Sequence, residues 1–251
     1  MKKTVLLIIL GVVTVFCVIF GTIRHVGKGF NFFNNPVIHL GDDDPEVNYS
    51  WKWHSDSDGN KESNFSINQS LEKFSAIKID ASVMEIKLEE GDKFYFDSTF
   101  TRDWLRPKLS VEKGTLEIKQ GSQKNGFKGG NNNCRVVITI PRGTKLSDID
   151  IASNVGDIKL RKLLAENIDI RTNVGEVSVR DVDFDKIEVD SNVGEVSVEP
   201  VSSIAEYSIS ASTDVGKVRV DGKNYKRSYN ISGSSGKKIK INTNVGEINI
   251  N

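Results

Sequence analysis

Histidine is absent from residue 55 to the end of this 251-residue chain; the three present are His25, His39 and His54. That absence removes Ser-His-Asp and Cys-His catalysis, and any histidine-ligated metal, from most of the chain. Cysteine is almost as scarce. Cys17 lies in an apolar run and Cys134 stands alone downstream, so no intrachain disulfide is expected. Cys134 reads as a small buried hydrophobe in a strand over Cys134–Ile140. Net charge is missing too: 34 basic residues balance 34 acidic ones, whereas a nucleic-acid binder normally carries a basic excess. Past the N-terminal region no long 3.6-residue periodicity occurs, so no long amphipathic helix is expected there.

One long apolar run exists. Val5–Ile23 holds nineteen residues without a charge, roughly 28 Å as a helix, close to the thickness of a bilayer's hydrocarbon core. A cleaved signal peptide would have a shorter apolar region, roughly 7–15 residues, ending at a small-x-small site. Arg24, His25 and Val26 supply no such site, and Phe16 occupies the place where a lipoprotein signal needs a small residue before Cys17. The run is therefore read as an uncleaved transmembrane helix over 5–23. Residues 1–4 form a cytoplasmic stub, too short for a signalling domain, and the rest is exported. The basic residues flanking the span, Lys2 and Lys3 before it and Arg24 and Lys28 after it, are nearly balanced. Residues 24–70, rich in Asn, Asp, Gly and Ser, read as a linker with a turn at Gly41–Pro45 and a loop at Ser55–Asn60. The acidic triplet Asp42–Asp44 is read as solvated linker rather than a cation site. Trp51 and Trp53 share one side of an extended segment.

What the chain has in abundance is repetition. From Phe74 onward apolar and polar residues alternate, the period of half-buried strands. Ile149–Leu160, Ile168–Val179 and Ile187–Val198 share one pattern, and their corner asparagines, Asn154, Asn173 and Asn192, are 19 residues apart. A fourth copy turns at Asp214-Val-Gly216 after a 22-residue step, and a fifth at Asn244-Val-Gly246 after 30. Ile77–Leu88 is a degenerate earlier copy with Met84 in the glycine position. Each copy reads as strand, tight corner, strand, with Gly156, Gly175, Gly194, Gly216 and Gly246 supplying the backbone freedom of the corner. A single copy cannot hide its apolar face. Stacking copies about 4.8 Å apart builds two sheets around one core, puts Val155, Val174 and Val193 in one column, and lines the corner asparagines into an amide ladder. The fold class is therefore all-β, a β-solenoid of two-stranded repeats over 71–251, preceded by one transmembrane helix. Within the less regular part, Leu109–Ile118 reads as a hairpin, Arg135–Ile140 as a strand ended by Pro141, and Gly121–Asn133 as a surface loop.

The Asn-Val-Gly-Asp/Glu corners, the Val-Val-Ile-Thr-Ile-Pro strand at 136–141 and the short anchored N-terminus resemble the bacterial adhesin-like domain of unknown function. This β-solenoid family includes LiaG-like envelope proteins. The resemblance covers roughly 71–251 and implies an extracytoplasmic location near envelope-stress functions. It implies no catalytic residues and no cofactor.

Stacking also aligns charge. Asp150, Asp169 and Glu188 should form one outward row, and Asp157, Glu176 and Glu195 another. Acids about 5 Å apart repel, which a cation could relieve, but Lys159, Arg171 and Arg180 are near enough to compensate, and no calcium-binding repeat pattern is present. From Asp148 to Glu199 acids outnumber bases by about two to one. The reverse holds for Lys217, Arg219, Lys223, Lys226, Arg227, Lys237, Lys238 and Lys240, among which Asp221 is the only acid. This basic end is a candidate surface for an anionic partner such as a wall polymer, lipid headgroups or another envelope protein. Because the last copy finishes at Asn251, an open C-terminal strand edge and self-association through it are expected. The function implied is a membrane-anchored interaction or scaffold module of the cell envelope. The alternative is a carbohydrate-active β-helix enzyme acting on envelope or extracellular polysaccharide, marked by a deep cleft with clustered Asp and Arg.

Overall fold

The structure, a computed structural model, describes residues 48–55, 61–121 and 132–251, with side chains from Phe65 onward. The expected stub, the anchor over 5–23, the acidic triplet and most of the loop at 121–133 lie outside the described residues. No helix among the described residues is long and apolar enough to cross a membrane.

Alternating apolar residues give nineteen strands among the described residues. They are β1 (Asn48–Ser55), β2 (Lys61–Ser70), β3 (Ala76–Val83), β4 (Glu85–Gly91), β5 (Tyr95–Phe100), β6 (Pro107–Glu112), β7 (Thr115–Gln120), β8 (Cys134–Pro141), β9 (Lys145–Val155) and β10 (Ile158–Arg161). They continue with β11 (Leu164–Val174), β12 (Val177–Val193), β13 (Val196–Pro200), β14 (Ser208–Val215), β15 (Val218–Val220), β16 (Lys223–Tyr225), β17 (Ser228–Ile231), β18 (Lys238–Val245) and β19 (Ile248–Ile250). The segment expected to be linker up to residue 70 thus contains two strands, β1 and β2, paired antiparallel.

The strands make two walls of parallel rungs. One wall runs β7, β3, β9, β11, the second half of β12, β18, β14. The other runs β8, β4, β10, the first half of β12, β13, β19, β15. Numbered along the stack, rung 1 is β7 and β8, rung 2 is β3 and β4, and rung 3 is β9 and β10. Rung 4 is β11 with the start of β12, and rung 5 is the end of β12 with β13. Rung 6 is β18 and β19, and rung 7 is β14 and β15. Antiparallel strands cover both ends: β6 pairs with β7 and β5 with β8 at one, and β17 pairs with β14 and β16 with β15 at the other. Beyond β5 lie β2 and β1.

Stack order is therefore not chain order. At the C-terminal end the chain lays down rung 7 before returning to fill rung 6 inside it, whereas at the other end rung 2 comes first, rung 1 is added outside it, and rung 3 follows on the inner side. The C-terminal copy sits sixth, hydrogen-bonded on both sides in both walls, between copies that precede it in sequence. This corrects the expectation of an open C-terminal strand edge. The long step from Asp214 to Asn244 carries the cap strands β16 and β17, which occupy the outer faces of rung 7 and leave the slot beneath it for the last rung.

Inward residues of both walls form one core. In rung 4 these are Ile168, Ile170, Val177 and Val179, none more than 1 % exposed. Burial of each is worth about 1.5–3 kcal/mol, and consecutive rungs repeat the set through Ile187, Val189, Val196 and Val198. Cys134 belongs to this core. Rung 1 lacks the tight corner because residues 121–133 intervene. There the Gln120 side chain stands in for the missing backbone: its carbonyl oxygen accepts from the Ser82 and Val83 amides at 3.0 and 2.7 Å, and its amide donates to the Leu105 carbonyl at 2.8 Å.

Candidate interaction surfaces

Three surfaces gather the residues singled out by the sequence: the corner, the outer face of the longer-stranded wall, and the end that rung 7 occupies.

At the corner, an added Cβ on Gly156 would overlap the Met84 carbonyl, one on Gly175 the Gly156 carbonyl, and so on through Gly194, Gly246 and Gly216. Each of these glycines also has positive φ, from 135° to 157°. Close approach between rungs, as much as backbone conformation, demands glycine here. The corner amides are satisfied along the stack, with the Gly175 N–H donating to the Val193 carbonyl at 3.1 Å and the Gly194 N–H to the Val245 carbonyl at 3.0 Å. Beside them the asparagines form a ladder. Asn173 donates to Asn154 at 2.8 Å, Asn192 to Asn173 at 2.6 Å, and Asn244 to Asn192 at 3.0 Å. Asp214 lies at the equivalent place in rung 7, next to the Val215 that pairs with Val245. Val155, Val174 and Val193 stand in one column with Val83, Val245 and Val215. That column runs along the outside of the bend, where Val155 is 41 % and Val215 45 % exposed. The interior position belongs to the residue before each Asn or Asp: Ser153, Thr172, Ser191, Thr213 and Thr243, all buried. Thr213 donates to the Gly246 carbonyl at 3.0 Å. The hydroxyl is present before all five Asn or Asp corners in the sequence, with Ala81 in its place in the degenerate copy, and that regularity was the signal available for it.

The outer face carries the first acidic row in register, Asp150 beside Asp169 beside Glu188, with Lys240 next. Bases neutralise it. Arg171 donates to Asp150 at 2.6 Å and lies 3.3 Å from Asp169, while Glu188 is held by Lys240 at 2.5 Å and by Lys186 at 3.3 Å. The hydrogen bond from Lys240 holds the Glu188 carboxyl below its ordinary range. Asp169 is pushed up by partial burial, and its acidic neighbours Asp150, Glu188 and Asp190 add to this against the pull of Arg171. The second row continues from Asp157, Glu176 and Glu195 to Glu247 and ends at Lys217. Asp157 accepts from the Glu176 amide at 3.0 Å and Glu195 from Asn249 at 2.7 Å. No group of three metal-ligating side chains occurs among the described residues. A shallow groove of about 370 Å³ crosses this face, lined by Asp80, Arg171, Asp190 and Asn242 beside the asparagine ladder. It brings Asp and Arg together, but Arg171 is already engaged by Asp150 and Asp169.

The basic residues divide. Lys237 and Lys240 bridge rungs: Lys237 donates to Asp183 at 2.9 Å and to Ser202 at 2.8 Å, and Lys240 holds Glu188. Lys238 is exposed, in register with Lys186 and Ser208. Lys217, Arg219, Lys223, Lys226 and Arg227 are all exposed on rung 7 and its cap. Arg219 donates to Asn224 at 3.0 Å. Beneath them the Tyr225 and Tyr229 rings pack at 4.4 Å and close the core.

These features define an all-β repeat domain whose sheet curls around one core. The chain belongs to the Toastrack DUF4097 family, whose pattern matches residues 74–251. Among solved structures it is similar to a protein of Clostridium sporogenes provisionally assigned to cell adhesion, at 21 % identity and a TM-score of 0.58, covering 74 % of this chain and 97 % of that one. A provisionally assigned adhesin from Bacteroides fragilis is similar at 14 % identity and a TM-score of 0.38, covering 75 % of this chain and 97 % of that one. No curated protein matches the sequence significantly.

Proposed function

We propose that this chain is an extracytoplasmic, membrane-anchored interaction module of the bacterial envelope, adhesin-like as its structural relatives are described. In this reading it is tied to envelope stress and engages an anionic polymer through the basic end of its stack. The observation that carries the reading is the placement of charge. The five exposed bases Lys217, Arg219, Lys223, Lys226 and Arg227 gather on rung 7 and its cap, the end of the stack opposite the one where β2 and β1 lie. Six rung steps of about 4.8 Å put roughly 29 Å between the two ends of the stack. The exposed bases at the rung 7 end give an anionic polymer a surface to engage. Binding through them is electrostatic and falls as salt screens the charges.

The test compares the chain with a Lys223→Ser, Lys226→Ser, Arg227→Ser variant for retention on isolated cell-wall polymer across a salt series. Retention of the parent should fall with salt, and the variant should be released at lower salt. Equal retention of both at every salt concentration overturns the reading. External protease that fails to cut the domain on intact, wall-stripped cells but cuts it after lysis overturns the location.

A further inference from the structure

The slot that rung 6 fills is bounded by two nearly identical edges. Ile239 of β18 lies beside Ile187 on one side and Ile209 on the other, Thr243 beside Ser191 and Thr213, and Val245 beside Val193 and Val215. In the second wall, Ile248 lies between Val196 and Val218, and Ile250 between Val198 and Val220. The glycine column runs through the slot, with Gly246 between Gly194 and Gly216. Both edges are laid down before the segment that fills them, because rung 7 and its cap strands precede β18 in the chain.

Only the connection at 232–237, Ser-Gly-Ser-Ser-Gly-Lys, ties rung 6 to its own slot. Within it the Gly233 and Ser235 amides are held by the Ser208 hydroxyl at 3.1 Å and the Glu206 carbonyl at 3.2 Å. At its end, Lys237 latches onto Asp183 and Ser202. These contacts are made by two main-chain amides and one lysine of the segment, and none requires that the segment come from the same molecule. A strand pair displaced from the slot would expose Ile239, Ile241, Ile248 and Ile250, all fully buried here, and could not stack on the outside of rung 7, where β16 and β17 already pair.

We propose that the slot between rungs 5 and 7 accepts the C-terminal rung of a second copy of this chain, so that molecules associate by exchanging residues 238–250. Reciprocal exchange closes a two-fold dimer, and one-way exchange propagates a chain of molecules. Association then runs through a rung supplied in trans rather than through an exposed edge.

The test uses the full chain in mild detergent with cysteines introduced across the slot boundary. Asn192→Cys with Asn244→Cys replaces one step of the ladder, on neighbouring strands whose separation of about 4.8 Å falls in the range a disulfide spans. Ser212→Cys with Asn242→Cys reports the other boundary and leaves the asparagine ladder intact. Equal amounts of ¹⁴N- and ¹⁵N-labelled protein are unfolded together, refolded over a range of concentrations and oxidised, and the linked peptides are weighed. Exchange gives links joining light to heavy halves, rising with concentration and confined to the oligomeric fractions on gel filtration. Links that join only light to light and heavy to heavy, for both cysteine pairs at the highest concentration, overturn the proposal.

Discussion

The α-carbon of Gly246 packs against the carbonyl group of Gly194, so closely that a Cβ at position 246 would overlap its oxygen. The two residues lie 52 positions apart in the chain, yet belong to neighbouring rungs. The same relationship recurs between Gly194 and Gly175.

Replacing Gly194 with alanine combines two costs, a backbone held at φ 151° and an overlap with backbone atoms that cannot swing aside. Strain and overpacking of this kind each cost about 1–3 kcal/mol. Gly194→Ala should therefore lower stability by roughly 3 kcal/mol, read as a drop in the urea midpoint. Gly236→Ala, with open space around the added carbon, should stay within about 0.5 kcal/mol. Equal midpoints for the two variants would show that the column is not tightly packed.

The Asn173 side chain both donates to Asn154 and accepts from Asn192. Asn173→Ala removes two hydrogen bonds at a solvent-exposed corner, where each contributes about 0.5–1.5 kcal/mol. A loss of roughly 1–2 kcal/mol is expected. In a double-mutant cycle Asn173→Ala and Asn192→Ala should be less than additive, since each breaks the bond they share. Strict additivity would mean that the ladder does not act as a unit.

The repeats were legible because their constraints are local. Period-2 alternation, the Asn-Val-Gly corner and a 19-residue step dictate strand, bend and stacking with no knowledge of distant contacts. Rung order was not legible. Ile187, Ile209 and Ile239 present equivalent edges, so the columns alone accept any order of copies. Order is decided by the cap strands and by single contacts such as Tyr207 donating to the Phe184 carbonyl at 3.2 Å, which no repeat pattern encodes. The basic end was half legible. Composition located it, but only coordinates separate Lys237 and Lys240, engaged with Asp183 and Glu188, from the five bases on rung 7 and its cap.

Burial pushes the Cys134 thiol up to about 12, against the weaker opposing effect of hydrogen bonds with Ser98 and Gln120. The folded state therefore holds this proton more tightly than the unfolded chain, whose thiol titrates near 9. The stability linked to it is complete below pH 9 and is lost progressively as pH rises from about 9 toward 12. Cys134 should resist alkylation at pH 8 until the domain unfolds. Between pH 9 and 10.5 the parent should lose more stability than Cys134→Ala, measured by urea unfolding. Parallel pH profiles for the two proteins would refute the assignment, as would rapid labelling of the folded domain.

Lys237 is the residue through which rung 6 grips its neighbour in the stack, reaching Asp183, 54 positions earlier in the chain. Its ammonium donates to Asp183 and Ser202 and lies 5.5 Å from the centre of the Tyr207 ring. The hydrogen bond to Asp183 raises its pKa above the ordinary lysine value, so this contribution too is present at neutral pH and fades only in strong alkali. Hydrogen bonds to a charged group contribute about 1.5–3 kcal/mol when partly shielded from water. Lys237→Met keeps the aliphatic stem and removes the charge, so its effect isolates the latch. The expected result is faster amide exchange at Ile239 and Ile241, the strand that follows, with little change at Ile168 and Ile170 two rungs away. Uniform acceleration across all four amides would mean that Lys237 supports the whole stack, and that the C-terminal rung has no separate opening of its own.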